Sequence, residues 1–225
     1  MSELGRIAAA EAAARLVEPG MRLGLGTGRT MEAVLRALAR RVRDEGLAFA
    51  GVPTSEATAA RARALGLLIV AADAPCDLAI DGADQIERGT LRLIKGGGGA
   101  LLREKIVAES AARFVVVADA GKLVDRLGIG FPLPMEIVPF GHEAIARRIA
   151  GLGGAPVLRM RAGAPFRSDN GNLILDCPGF APIRDPFTLE RVLRGIAGVV
   201  CTGLFLLPVE RALVGHEDGR VEELR

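Results

Sequence analysis

Cysteine, histidine and lysine are scarce in this 225-residue chain, and each scarcity removes a class of chemistry. Three cysteines (Cys76, Cys177 and Cys201) are an odd number, widely spaced and without a CxxC. That argues against a disulfide scaffold or a structural zinc site and fits a reducing, cytoplasmic setting. Two histidines, His142 and His216, leave little for metal chemistry, so no metal site is expected. No apolar run reaches the roughly 18–20 residues that a membrane span needs. The first 20 residues read as an Ala-rich helix broken by Glu3, Arg6, Glu11 and Arg15, not as an apolar signal core. There is no long basic run either: 29 basic residues face 27 acidic ones for a net charge of +2, which disfavours nucleic acid and anionic membrane as partners. Only three of those basic residues are lysine (Lys95, Lys105 and Lys122), all within one short stretch. Lysine offers a compact ammonium whose pKa can be tuned and arginine does not, so lysine retained amid arginine marks places that need an ammonium.

What is present is a soluble, globular composition, 50% hydrophobic and 25% charged. Strand and helix signals alternate through the first half. Strands are expected at 21–26, 47–52, 67–71, 77–80, 91–94 and 114–118, with helices at 30–42, 55–65 and 100–112 between them. Such alternation implies right-handed βαβ units and a doubly wound, mostly parallel α/β sheet. Near Gly130-Phe131-Pro132 the texture changes to strand, helix, strand, strand, helix, strand, the order of a ferredoxin-like α+β domain. Two domains are expected: 1–130 plus 206–225, with the tail returning a strand to the first sheet, and a smaller one at 131–205.

Three motifs carry chemistry. Gly24-Leu25-Gly26-Thr27-Gly28-Arg29-Thr30 lies at a strand-to-helix junction, where backbone N–H groups and the helix dipole face an anion. A dinucleotide fingerprint would want glycine where Arg29 stands and an acidic residue ending the second strand. That strand ends Val52-Pro53-Thr54-Ser55, so a small phosphate fits better, with Thr27 and Thr30 offering hydroxyls. Asp81-Gly82-Ala83-Asp84 follows the strand Asp77–Ile80 and places two carboxylates at a carboxyl edge, where open α/β sheets bind ligands. They suit sugar hydroxyls, a hydroxyl proton or a metal. Lys95-Gly96-Gly97-Gly98-Gly99 opens a helix, and so many glycines suggest backbone approaching a ligand. It is not a Walker A loop, because the lysine precedes the glycines. Glu104 falls about one turn into that helix and can lean back to the loop. Lys122 follows the strand 114–118 at another carboxyl end.

In this order the motifs resemble the ribose-5-phosphate isomerase A family. The matching strings are GLGTGRT, GVPTSEAT, DLAIDGADQIE, LIKGGGGALLREKIVAES, VVVADAGKLVDRLG, FPLPMEIVPF, SDNGNLILDC and GVVCTGLF, which together span nearly the whole chain. The resemblance implies a cytoplasmic, cofactor-free homodimer or homotetramer. It would interconvert ribose 5-phosphate and ribulose 5-phosphate in the non-oxidative pentose phosphate pathway. It implies substrate contacts at Thr27, Gly28, Arg29 and Thr30, at Asp81, Gly82, Ala83 and Asp84, at Lys95, Gly96, Gly97 and Gly98, and at Lys122. Glu104 would be the base of a metal-free proton transfer, with Asp81 and Lys95 also catalytic. Arg29 replaces the serine usual in the first string, Gln85 a frequent glutamate, Gly121 a serine and Thr202 an asparagine. The rival readings are a non-catalytic sugar-phosphate sensor, which would carry a DNA-binding module, and a related transferase or deaminase.

Overall fold

The computed structural model describes residues 3–225 and divides them into two compact units. The first comprises residues 3–83, then Arg103–Leu123 and Leu207–Arg225. Among its described residues six strands form one sheet in the order Val221–Leu224, Arg211–Gly215, Phe114–Asp119, Leu78–Asp81, Arg22–Leu25, Ala50–Pro53. All neighbours run parallel except Val221–Leu224, which returns antiparallel. The strand Phe114–Asp119 is apolar almost throughout because helices cover both faces of such a sheet. Leu23, Leu25, Leu78, Ile80, Val115 and Val117 form the sheet's share of one core. The helix Glu3–Ala14 packs four buried alanines onto it, and Arg29–Glu45 adds Val34, Leu35 and Leu38.

Strand Arg22–Leu25 has Ala50–Pro53 on one side and Leu78–Asp81 on the other. The winding direction reverses there, and in open α/β sheets ligands bind beyond the carboxyl ends of the strands at such a point. The GLGTGRT turn and Asp81 both leave the sheet at that edge.

The second unit comprises Asp84–Leu102 and Val124–Leu206. Its larger sheet runs Val199–Thr202, Leu133–Ile137, Leu173–Cys177, Val157–Leu158, all antiparallel. With helices His142–Ala150 and Pro186–Arg194, this is the expected ferredoxin-like arrangement. One sheet face carries Met135, Ile137, Leu173 and Leu175 onto Ile145, Ile149 and Leu193.

Two expectations change. Residues 84–102 and 124–130 belong to the second unit rather than the first; Gln85–Glu87 pairs with Leu93–Ile94 and the latter with Leu204–Phe205. Residues 67–71 form no full strand: a single bridge joins Ile69 to Gly51. The tail does return to the first sheet, pairing Arg211–Gly215 with Phe114–Asp119.

Candidate active site

In the first unit the phosphate-type turn and the first aspartate meet directly. The Thr27 backbone N–H donates to Asp81 Oδ1 at 3.2 Å, and the Gly82 N–H donates to the same oxygen at 2.7 Å. Asp81 is buried. It can lie there because residue 26 is glycine: a Cβ at Gly26 would stand 2.0 Å from Oδ1. Thr30 lies on the same edge, its Cβ 3.8 Å from where a Cβ on Gly82 would be.

The Thr27 hydroxyl is engaged inside the protein. It lies 2.8 Å from Thr54 Oγ1, 2.9 Å from Ser55 Oγ and 3.3 Å from Thr58 Oγ1, and Thr58 in turn donates to the Gly26 carbonyl. Ser55 caps the helix Glu56–Ala64 by accepting the Thr58 N–H. The sequence assigns this cluster no role, although a serine directly before an Ala-rich helix is a common helix cap. Gly28, at φ 106°, caps Arg29–Glu45 without any side-chain hydrogen bond, so the helix end is left to backbone N–H groups. Arg29 is exposed and lines a groove with Arg6, Arg36 and Arg40, ringed by Glu3, Glu11 and Glu32.

Glu104 stands in the first turn of Leu101–Ser110 and is buried. It borders a narrow seam with Asp81, Gly24, Gly26 and Thr54. Glu104 and Asp81 thus line one seam, which is too narrow to hold a water. Lys122 ends the short turn Ala120–Lys122 and is half-buried.

In the second unit the other half of the expected set is assembled. Asp84 Oδ2 accepts the Gly97 N–H at 2.8 Å, while the Asp84 N–H donates to the Ile94 carbonyl and fixes the turn. Gly97 and Gly98 are exposed, whereas Gly96 (φ +107°) and Gly99 are buried. Lys95 is buried, its N–H donates to the Gly203 carbonyl, and its Nζ lies 5.4 Å from the centroid of the Phe205 ring.

Gln85 uses both ends of its amide. Its Oε1 accepts the Gly128 N–H at 2.7 Å and its Nε2 donates to the Ile129 carbonyl at 2.6 Å. An ionised carboxylate has no donor for the second bond. Thr202, fully buried, bonds Glu190 and accepts the Leu204 N–H. The three cysteines are buried, and burial pushes the Cys177 thiol up to about 12, which makes it inert. Among the described residues no helix is long and apolar enough to cross a membrane.

The family model described as ribose 5-phosphate isomerase A (phosphoriboisomerase A) matches residues 50–219. A ribose-5-phosphate isomerase A from Roseiflexus sp. (strain RS-1) is 55% identical over 223 residues, covering 97% of this chain and 95% of that protein. The solved ribose 5-phosphate isomerase A from Methanocaldococcus jannaschii superposes with a TM-score of 0.93 at 40% identity, covering 98% and 97% of the two chains. A D-ribose-5-phosphate isomerase in complex with phospho-erythronic acid superposes with a TM-score of 0.94 at 34% identity, covering 100% and 99%.

Proposed function

Because this chain belongs to the ribose 5-phosphate isomerase A family, we propose that its isomerisation of ribose 5-phosphate to the ketose runs on Glu104 as the proton-carrying base. The observation that supports this reading is that buried Glu104 borders the same narrow seam as Asp81 and as Gly24 and Gly26 of the phosphate-type turn. The reaction moves a proton from C2 to C1 and exchanges protons between the two oxygens. One carboxylate can take the C2 proton, leave an enediolate and return the proton to C1.

The further groups take the following roles in this reading. The turn Thr27–Thr30 binds the phosphate through backbone N–H groups at an end of Arg29–Glu45 that no side chain caps. Asp81 takes a hydroxyl proton as the furanose ring opens, held in place by the Thr27 and Gly82 N–H groups. Asp84 orients hydroxyls and, through Gly97, the glycine loop. Lys95 and the loop N–H groups stabilise the enediolate, and Lys122 completes the charge balance. The phospho-erythronic acid bound by the related enzyme fits the same chemistry, since its carboxylate is a planar anion at the end of a phosphorylated chain. The reading extends to a cytoplasmic homodimer or homotetramer that uses no cofactor.

The test is incubation with ribose 5-phosphate, without added metal or nucleotide, while ketose formation is followed. Ketose formation at an enzymatic rate is expected, and none would overturn the reading.

A further inference from the structure

We infer that Arg159, held by Asp176, is a positioning residue that fixes the glycine loop so that its Gly98 N–H is aimed at the enediolate. This rests on the proposal that the loop supplies oxyanion donors. Arg159 stands between the two short strands Val157–Leu158 and Met160–Arg161. Its backbone is fixed on both sides: its N–H donates to the Ile174 carbonyl, and its carbonyl accepts the Phe166 N–H. Asp176 grips the guanidinium at Nε, at 2.8 Å, and at Nη2. That leaves Nη1, which donates to the carbonyls of both Gly96 (2.9 Å) and Gly97 (3.1 Å).

Two successive carbonyls on one nitrogen have a consequence for the opposite side of the chain. In a planar trans peptide the C=O and the following N–H point in opposite directions. The Gly96 carbonyl faces Arg159, so the Gly97 N–H faces away from it, where Asp84 accepts it. By the same geometry the Gly97 carbonyl turns the Gly98 N–H to that side as well. Two consecutive N–H groups thus face the side marked by Asp84: that of Gly97 is held by the Asp84 carboxylate, and that of Gly98 is the donor presented beside it at an exposed residue. A backbone N–H fixed in this way is a preorganised oxyanion donor.

Gly96 at φ +107° permits the turn, and Phe166 covers it. A Cβ on Gly99 would stand 2.3 Å from Phe166 Cε1, and the Arg159 Cζ lies 6.0 Å from the ring centroid. Only arginine can serve both partners at once, because its planar fork of five donors spans a carboxylate on one edge and carbonyls on the other.

The test compares full-length wild type with Arg159→Met, Arg159→Lys and Asp176→Asn. It reads kcat and KM on ribose 5-phosphate, binding of phospho-erythronic acid and of inorganic phosphate, and thermal melting. Arg159→Met is expected to lose roughly 10- to 100-fold in kcat, less than the ~10²–10³-fold typical of deleting an oxyanion donor outright. KM and inorganic phosphate binding should hold within about threefold, while phospho-erythronic acid binding should weaken about tenfold or more, since only the acid carries an anion at the reacting end. Arg159→Lys should recover part of the loss. Asp176→Asn should shift kcat the same way by a smaller factor, and it carries the test if Arg159→Met does not fold. Wild-type kcat in a folded Arg159→Met or Asp176→Asn overturns the inference alone. So does a loss that falls equally on phosphate and on phospho-erythronic acid. A wild-type enzyme that binds phospho-erythronic acid no more tightly than inorganic phosphate overturns both the oxyanion role of the loop and the inference.

Discussion

The Asp81 carboxylate accepts the backbone N–H of Thr27 through the same Oδ1 that accepts the Gly82 N–H, so one oxygen ties the phosphate-type turn to the aspartate turn. Asparagine can keep that carbonyl-type acceptor but cannot take a hydroxyl proton. Asp81→Asn is therefore expected to lose about 10²-fold or more in kcat with KM nearly unchanged. Asp81→Ala removes the tie itself and should raise KM as well. Steady-state kinetics of both variants check this, and equal KM values in the two would refute the shared-oxygen role.

Gly26 is required by close approach rather than by backbone freedom. Its missing Cβ would overlap Asp81 Oδ1 and Cγ at 2.0 and 2.1 Å. Gly26→Ala must displace the aspartate. A folded protein is expected with at least about 10²-fold lower kcat, the scale of losing one proton-transfer group. Far-ultraviolet circular dichroism together with a rate assay measures this.

Lys95 is buried beside the Phe205 ring. Lys95→Arg keeps the charge but replaces a compact ammonium by a planar fork that this space does not match. Activity should fall about tenfold or more, on the scale of roughly 1.4 kcal/mol per tenfold in the transition state. An undamaged Lys95→Arg enzyme would remove the significance of lysine scarcity.

Acid stability should depend on Glu210. The Arg113 guanidinium bonded to it, at 2.6 Å, holds its carboxyl down at about 2, against burial, with Arg211 adding to the effect. Its folded pKa lies below the ordinary 4.5, so the stabilisation is complete above that value and disappears as pH falls toward 2. The carboxylate is partly exposed, so the effect is screened to about 1 kcal/mol, or roughly 2–4 °C in Tm. The Tm gap between wild type and Glu210→Gln should be open at pH 6 and close toward pH 2–3. A gap independent of pH would contradict the pairing.

The α/β alternation, the ferredoxin-like order and the returning tail were legible because hydrophobic period and turn residues are local signals. Asp81, Asp84 and the glycine loop were legible because each sits in a motif at a strand end. The allegiance of residues 84–102 was not, because it depends on Leu93–Ile94 pairing with Leu204–Phe205, more than a hundred residues away in sequence. Arg159 was invisible for the same reason: its carbonyl partners Gly96 and Gly97 lie 63 and 62 residues away. Nothing near Arg159 in sequence distinguishes it from the chain's many other arginines. The hydroxyl cluster of Thr54, Ser55 and Thr58 shows in sequence only as a helix cap, and its hold on Thr27 needs two neighbouring strands to bring it there.

Turnover of Glu104→Gln on ribose 5-phosphate, measured beside its calorimetric binding of the same sugar, bears most directly on the carboxylate as proton carrier. The amide keeps the size and the buried position of the native side chain but cannot accept the C2 proton. The expected result is binding close to wild type with kcat lower by about 10²–10⁴-fold. Near-wild-type turnover in a folded Glu104→Gln enzyme would contradict it.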